Sequence, residues 1–165
     1  MIAKSKQPRS TLNLTKIVLE SQYQEVFDSI TELAASTLNA PLALITFVDE
    51  CSIWIHSDTG NTEPKVVENK GTFCGIYPKN ESFYEIPNTD LDFNHGNHVL
   101  HIKGVKAKYY GAARIKLPLG EMIGVLCIFD IKPRVLAQNE SNFLTGLAKV
   151  IEKLLITKAF NKRVQ

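Results

Sequence analysis

Three histidines, His95, His98 and His101, stand three residues apart. On a helix that spacing would line imidazoles along one edge for zinc or iron. Asn94, Gly96 and Asn97 between them disfavour a helix, and only Asp92 adds a nearby ligand, so the segment reads as a polar rim rather than a metal site. Cys51, Cys74 and Cys127 are widely spaced and form no C-x-x-C pair, which fits free thiols in a reducing compartment. A thiol enzyme needs an accessible thiolate with a resolving partner, and a buried cysteine is most often a small hydrophobe. Asp49, Glu50, Asp90, Asp92 and Asp130 offer carboxylates for acid–base work. Asp49 and Asp130, however, fall at the ends of apolar runs, where aspartate forms turns. No glycine-rich phosphate loop, nucleophile elbow or kinase signature is present. Among the aromatics, Trp54, Tyr84, Tyr109 and Tyr110 read as packing groups. Because Tyr109 and Tyr110 are adjacent on a strand pattern, one of the two must face each side of a sheet.

The elements that position these groups follow from periodicity. From Ile17 to Leu38, Tyr23, Val26, Phe27, Ile30, Leu33, Ala34 and Leu38 lay one apolar stripe along a helix, which Asn39, Ala40 and Pro41 end. Leu42 to Val48 is apolar on both alternating faces and predicts a strand covered on both sides. Asp49 and Glu50 turn the chain into a half-exposed strand through Cys51, Ile53 and Ile55. Residues 58–82 and 88–104 form irregular excursions, the first with a short helix expected around Phe73 to Tyr77. Between them Ser82 to Pro87 reads as a strand. Lys108 to Leu117 and Met122 to Asp130 are two more, joined at Pro118-Leu119-Gly120. Phe143, Leu144, Leu147, Val150, Ile151, Leu154 and Leu155 define a closing helix, with Asn139 as its expected cap. That order predicts an α+β fold, a central antiparallel β-sheet with the N- and C-terminal helices packed on one face. The excursions are left to cover the other face and to enclose a loop-roofed pocket there.

Composition limits the function. Of 165 residues, 44% are hydrophobic and 22% charged, as in one ordinary globular domain. The net charge of +2 hides an uneven distribution. Residues 1–16 carry +4 and residues 157–165 carry +3, so the 12 remaining basic residues meet 17 acids and leave the body at 12 − 17 = −5. An acidic body lacks the clustered cations that nucleic acids require. No apolar run approaches the roughly 20 residues of a membrane span, and polar residues interrupt any signal-peptide core near the N-terminus. A cytoplasmic location is therefore expected.

Phe27-Asp-Ser-Ile-Thr-Glu-Leu-Ala34, Ala43 to Asp49, Trp54, Gly60, Phe73-Cys74 and Ile86-Pro-Asn88 together resemble a GAF domain. Lys108-Tyr-Tyr-Gly-Ala-Ala-Arg-Ile115, Gly120, Gly124-Val-Leu-Cys-Ile-Phe-Asp130 and Pro133-Arg134 extend the resemblance. It covers about residues 20–156 and points to the bacterial sensory subgroup found beside histidine kinases and diguanylate cyclases. What it implies is a small-molecule pocket on the sheet face away from the helices. That pocket is expected to involve Trp54, Phe73, Cys74, Asn88 and Asp92, with Phe93, His98, Tyr109 and Tyr110 beside them. The chain departs from the subgroup at Asn88, where Asp is usual, before Phe93, where two residues are missing, and at Ala113-Arg114-Ile115, where Ala-Pro-Leu is usual. No relative's ligand is carried over, because these departures surround the expected pocket.

The cofactor thus stays unknown. Asn69-Lys70 before Phe73 matches the start of a cyclic-nucleotide signature, but residues 74–78 lack its acidic pair, and no cysteine–histidine environment for a bilin is present. The domain division expected is a basic tail over 1–16, a single GAF-like domain over 17–156 and a basic helix extension over 157–165. The resulting reading is a stand-alone, non-enzymatic sensory domain that binds a small molecule and signals through its terminal helices. A homodimer through those helices is its expected assembly, or a separate signalling protein its partner. The alternative is a dimerisation module whose pocket is filled by Phe73, Phe83, Phe93 and Tyr109. Ranked below both is a free methionine sulfoxide reductase, an enzyme branch of the family whose cysteines follow a different segment pattern.

Overall fold

In a computed structural model, residues 23–164 are described apart from 50, 64, 76 and 93–98, with side chains described as far as 157. Helix α1, Gln24–Thr37, turns Phe27, Ile30, Thr31 and Ala34 inward. Val26 and Leu33 of the same apolar stripe stay 38% and 47% exposed, so the stripe is wider than the face it buries. The helix ends where Asn39 takes a left-handed φ of 49° and the Ala40 amide reaches back to the Ala35 carbonyl at 2.9 Å.

Strand β1, Leu42–Val48, continues into β2, Ser52–Asp58, through a turn held by Asp49. Its Oδ1 accepts from the Cys51 amide at 2.8 Å and the Ser52 amide at 2.6 Å. The other main strands are β4, Phe83–Ile86, β7, Tyr109–Lys116, and β8, Met122–Asp130. A sixth strand, β3, Val66–Glu68, lies inside the first excursion. Its three residues are too few to show alternation, which is why periodicity passes over it. The strands form one antiparallel sheet in the order β3-β2-β1-β8-β7-β4. A separate hairpin joins β5, His101–Ile102, to β6, Val105–Lys106, across Lys103 and Gly104, whose φ values of 49° and 81° suit a tight hairpin turn.

Strand β8 is central, paired to β1 on one side and β7 on the other. Gly124 allows the closest approach. A Cβ there would lie 2.1 Å from the Thr46 carbonyl oxygen, so any side chain would push β1 away. The closing helix α2 runs Gln138–Val164. It starts before Asn139, which corrects the expected cap. The Glu140 carboxylate instead accepts from the Ala137 amide at 3.0 Å, giving the reach-back half of a capping box. The segment around Phe73 to Tyr77 is turn rather than helix among its described residues, because the Thr72 hydroxyl donates to the Asn69 carbonyl and accepts from the Gly75 amide.

Both faces of the sheet are covered, as the unbroken apolar strands require. On one face α1 and α2 pack together over Ile45, Phe47, Tyr109, Ile115, Leu126 and Ile128. On the other, Phe73, Cys74 and Tyr77 from the first excursion, Ile102 from the second and Ala107 just before β7 pack over Leu44, Tyr110, Val125, Cys127 and Phe129. No helix of the described residues is long and apolar enough to cross a membrane.

Candidate functional site

The interior of the loop side is built around one thiol. Phe73 stacks on Tyr110, with ring centroids 5.3 Å apart, and meets Phe129 edge-on at 5.7 Å. This aromatic wall carries Cys74 onto the sheet. The Thr46 hydroxyl donates to Cys74 Sγ at 3.6 Å and the Tyr110 hydroxyl at 3.8 Å, distances suited to a sulfur acceptor. Cys127 lies beneath it on the same face of the sheet. The neighbouring Cys127 thiol is the first cause holding the Cys74 thiol below its usual range, against the opposing effect of burial and with help from the Thr46 and Tyr110 hydroxyls. Burial pushes Cys127 and Tyr110 well above theirs. The turn that delivers Cys74 is tied down at Asn69, whose side-chain amide donates to the Asp49 carbonyl at 2.6 Å. Gly75 follows, and a Cβ on it would lie 2.0 Å from Asn69 Oδ1.

The outer edge of the sheet is more open. A depression of about 330 Å³ is lined by Tyr84, Glu85, Ile86, Pro87, Asn88, Leu91 and Asp92. Asn88 Oδ1 caps the short turn Thr89–Leu91 by accepting from the Asp90 amide. Thr89 pins that turn to the sheet through the Lys108 carbonyl at 2.8 Å and the Ala107 carbonyl at 2.9 Å. Lys106 bonds Asp90 at 2.7 Å and holds its carboxyl below the usual range. The same edge connects to both helices. Glu85 Oε2 accepts from the Tyr109 hydroxyl at 2.9 Å and from the Leu136 amide, just before α2, at 3.2 Å. The Arg134 amide donates to the Pro87 carbonyl at 3.1 Å. Its guanidinium donates to the Leu38 carbonyl at the end of α1 at 2.8 Å, pairs with Asp130 at 3.1 Å and lies over the Tyr109 ring.

A second concavity of about 550 Å³ lies between α1 and β2, with Gln24, Asp28, His56, Asp58 and Lys65 among its walls. Its polar groups already satisfy one another. Asp28 accepts from Gln24 and Ser57, and Asp58 accepts from Lys65 at 2.6 Å and from the Gly60 and Thr62 amides.

The structure brings Phe73, Cys74 and Tyr110 together and sets Asn88 and Asp92 in the edge depression. Tyr109 points to the helix side and Tyr110 to the loop side, as their adjacency demands. Trp54 also lies against the helix-side core, because it pairs with Phe47 on that face. Phe83 does likewise. Phe93, His95 and His98 lie outside the described residues, and His101 is exposed on β5. Among the described residues, no three His, Cys, Asp or Glu gather as a metal site. The residues that periodicity missed are Glu85 and Arg134. A carboxylate in the middle of a short strand was the available signal for the first.

The GAF domain family matches residues 22–155 of the chain. A cyclic di-GMP phosphodiesterase from Pseudomonas aeruginosa is 24% identical over 135 residues, 81% of this chain. The chain spans only 23% of that protein's length. Among solved structures, the GAF domain of a phosphoenolpyruvate-protein phosphotransferase from Coxiella burnetii superposes with a TM-score of 0.70 at 15% identity. That superposition covers 94% of this chain and 99% of the other. The free methionine-R-sulfoxide reductase of Neisseria meningitidis, solved with its substrate, gives a TM-score of 0.69 at 13% identity, covering 90% of this chain and 86% of that one.

Proposed function

The chain belongs to the GAF domain family, and from that premise we propose that it is a non-enzymatic sensory domain that binds a small molecule on the loop side and signals through its terminal helices. The observation that carries this reading is the bonding of Glu85 and Arg134. Both meet the walls of the edge depression, and between them they reach the end of α1 and the start of α2. A ligand seated among Tyr84, Asn88 and Asp92 that moves β4 would move those bonds with it. Val26 and Leu33 on α1 and Val150 and Ile156 on α2 remain exposed. They offer an apolar face for a second copy of the chain or a separate cytoplasmic signalling protein.

A thermal-shift screen of the full chain against nucleotides, amino acids and haem tests the reading. A compound that raises the melting temperature of the wild type, and loses that effect in Asn88→Ala, supports it. No stabilising compound sinks it in favour of the second reading, a dimerisation module with a filled pocket. That second reading is favoured by the packing of Phe73, Tyr110 and Phe129 against one another. Free methionine sulfoxide left unchanged in the presence of a thiol reductant argues against the third reading, a reductase.

A further inference from the structure

The register of the sheet, with the two bonds to Cys74, places two thiols together. Cys74 bonds Thr46 on β1 and Tyr110 on β7, which lie on opposite sides of β8. Thr46 stands opposite Val125, and Tyr110 stands opposite Phe129. The residue of β8 midway between those two is Cys127, on the same face. Cys74 is thus suspended over Cys127. It comes from a turn of the roof, whereas Cys127 belongs to the rigid middle of the sheet. Cys74 is 7% exposed and Cys127 fully buried, so an oxidant from solvent meets Cys74 first. The Thr46 and Tyr110 hydroxyls directed at Cys74 favour its thiolate over that of Cys127.

The geometry points to a reversible redox site, in which hydrogen peroxide oxidises Cys74 and Cys127 resolves it as an intramolecular disulfide. Cys74 Sγ attacks a peroxide oxygen. The O–O bond breaks, and the departing hydroxide takes up the thiol proton and leaves as water. The Cys74 sulfenic acid is then attacked by Cys127 Sγ. The S–O bond breaks, the S–S bond forms, and a second water leaves with the Cys127 proton. The two thiols together lose two electrons and two protons to one peroxide. The product fastens the roof turn from Asn69 to Gly75 to the central strand, and a dithiol reductant releases it. This site is independent of which small molecule the edge depression takes.

The test uses the full chain carrying Cys51→Ser, since Cys51 is exposed and would react on its own account. After a molar equivalent of hydrogen peroxide, the expected result is loss of both remaining thiols. A Cys74–Cys127 linked peptide should appear in a non-reducing digest and disappear with dithiothreitol. Circular dichroism recorded before digestion must show the native spectrum. In Cys127→Ala, the expected product is a Cys74 sulfenic acid that dimedone traps. Retention of both thiols in the folded protein, over-oxidation of Cys74 without a link, or a link that forms only after unfolding would each overturn the proposal. The linked-peptide measurement needs no core substitution, so poor folding of Cys127→Ala leaves it decisive.

Discussion

The two faces of the sheet are closed by different means. On the helix side, two long helices, α1 and α2, close a core rich in aliphatic side chains such as Ile30, Leu126, Ile128, Leu144 and Ile151. On the loop side, stacked aromatics, two thiols and a roof of turns do the same work. The first kind of core depends on long cooperative elements. The second depends on a few bonds, such as that of Asn69 to Asp49, and is the face expected to open first.

The sharpest test compares Phe73→Ala with Leu126→Ala. Truncating the buried phenylalanine should cost about 3–5 kcal/mol and truncating the leucine about 2–5 kcal/mol, measured by urea unfolding. Hydrogen exchange should separate them. Leu126→Ala should lower protection throughout β1, β7 and β8, whereas Phe73→Ala should raise exchange in residues 69–77 first. Equal loss everywhere in both variants would erase the distinction between the faces.

The next largest effect concerns the joint between them. Arg134→Ala removes charged bonds to the Leu38 carbonyl and to Asp130, and should cost about 1.5–3 kcal/mol. The expected signature is increased exchange at the end of α1 and the start of α2, with the loop-side roof unchanged. Tyr110→Phe should have the smallest effect at neutral pH, about 0.5–1.5 kcal/mol for one hydroxyl bond. Its consequence is greater in alkali. Burial raises the ionisation of Tyr77, Tyr109 and Tyr110 above the ordinary 10.0. The folded form holds protons that the unfolded chain releases near that pH. Their contribution is whole below pH 10 and is lost as the pH rises beyond it. Tyr110→Phe should move the onset of alkaline unfolding upward, followed by circular dichroism from neutral pH.

Much of this architecture was legible in residue patterns. Leu42 to Val48 and Met122 to Asp130 read as doubly covered strands because no alternation of polar residues interrupts them, and both are strands with those bounds. Other elements carried no such signal. Val66–Glu68 is too short for a period, and the hairpin at Lys103-Gly104 rests on two left-handed residues that composition alone does not mark. At the site, alternation placed Tyr110 on the loop side but left open which neighbours it would meet. Trp54 read as a pocket residue by family position, yet its register with Phe47 turns it toward the helices. The roles of Glu85 and Arg134 did not follow from pattern, because they rest on contacts 51 and 96 residues away in the chain.

The position of β8 between β1 and β7 also bears on how the molecule assembles. Thr46 pairs with Val125, so β1 and the helix before it have no central partner until nearly the whole domain has been synthesised. At roughly 5–20 residues per second, the interval between the two is on the order of 4 to 16 seconds on the ribosome. During that time the apolar run from Leu42 to Val48 has only β2 beside it. Folding of so non-local a sheet is slow, and the nascent first half is the stretch on which a chaperone would act.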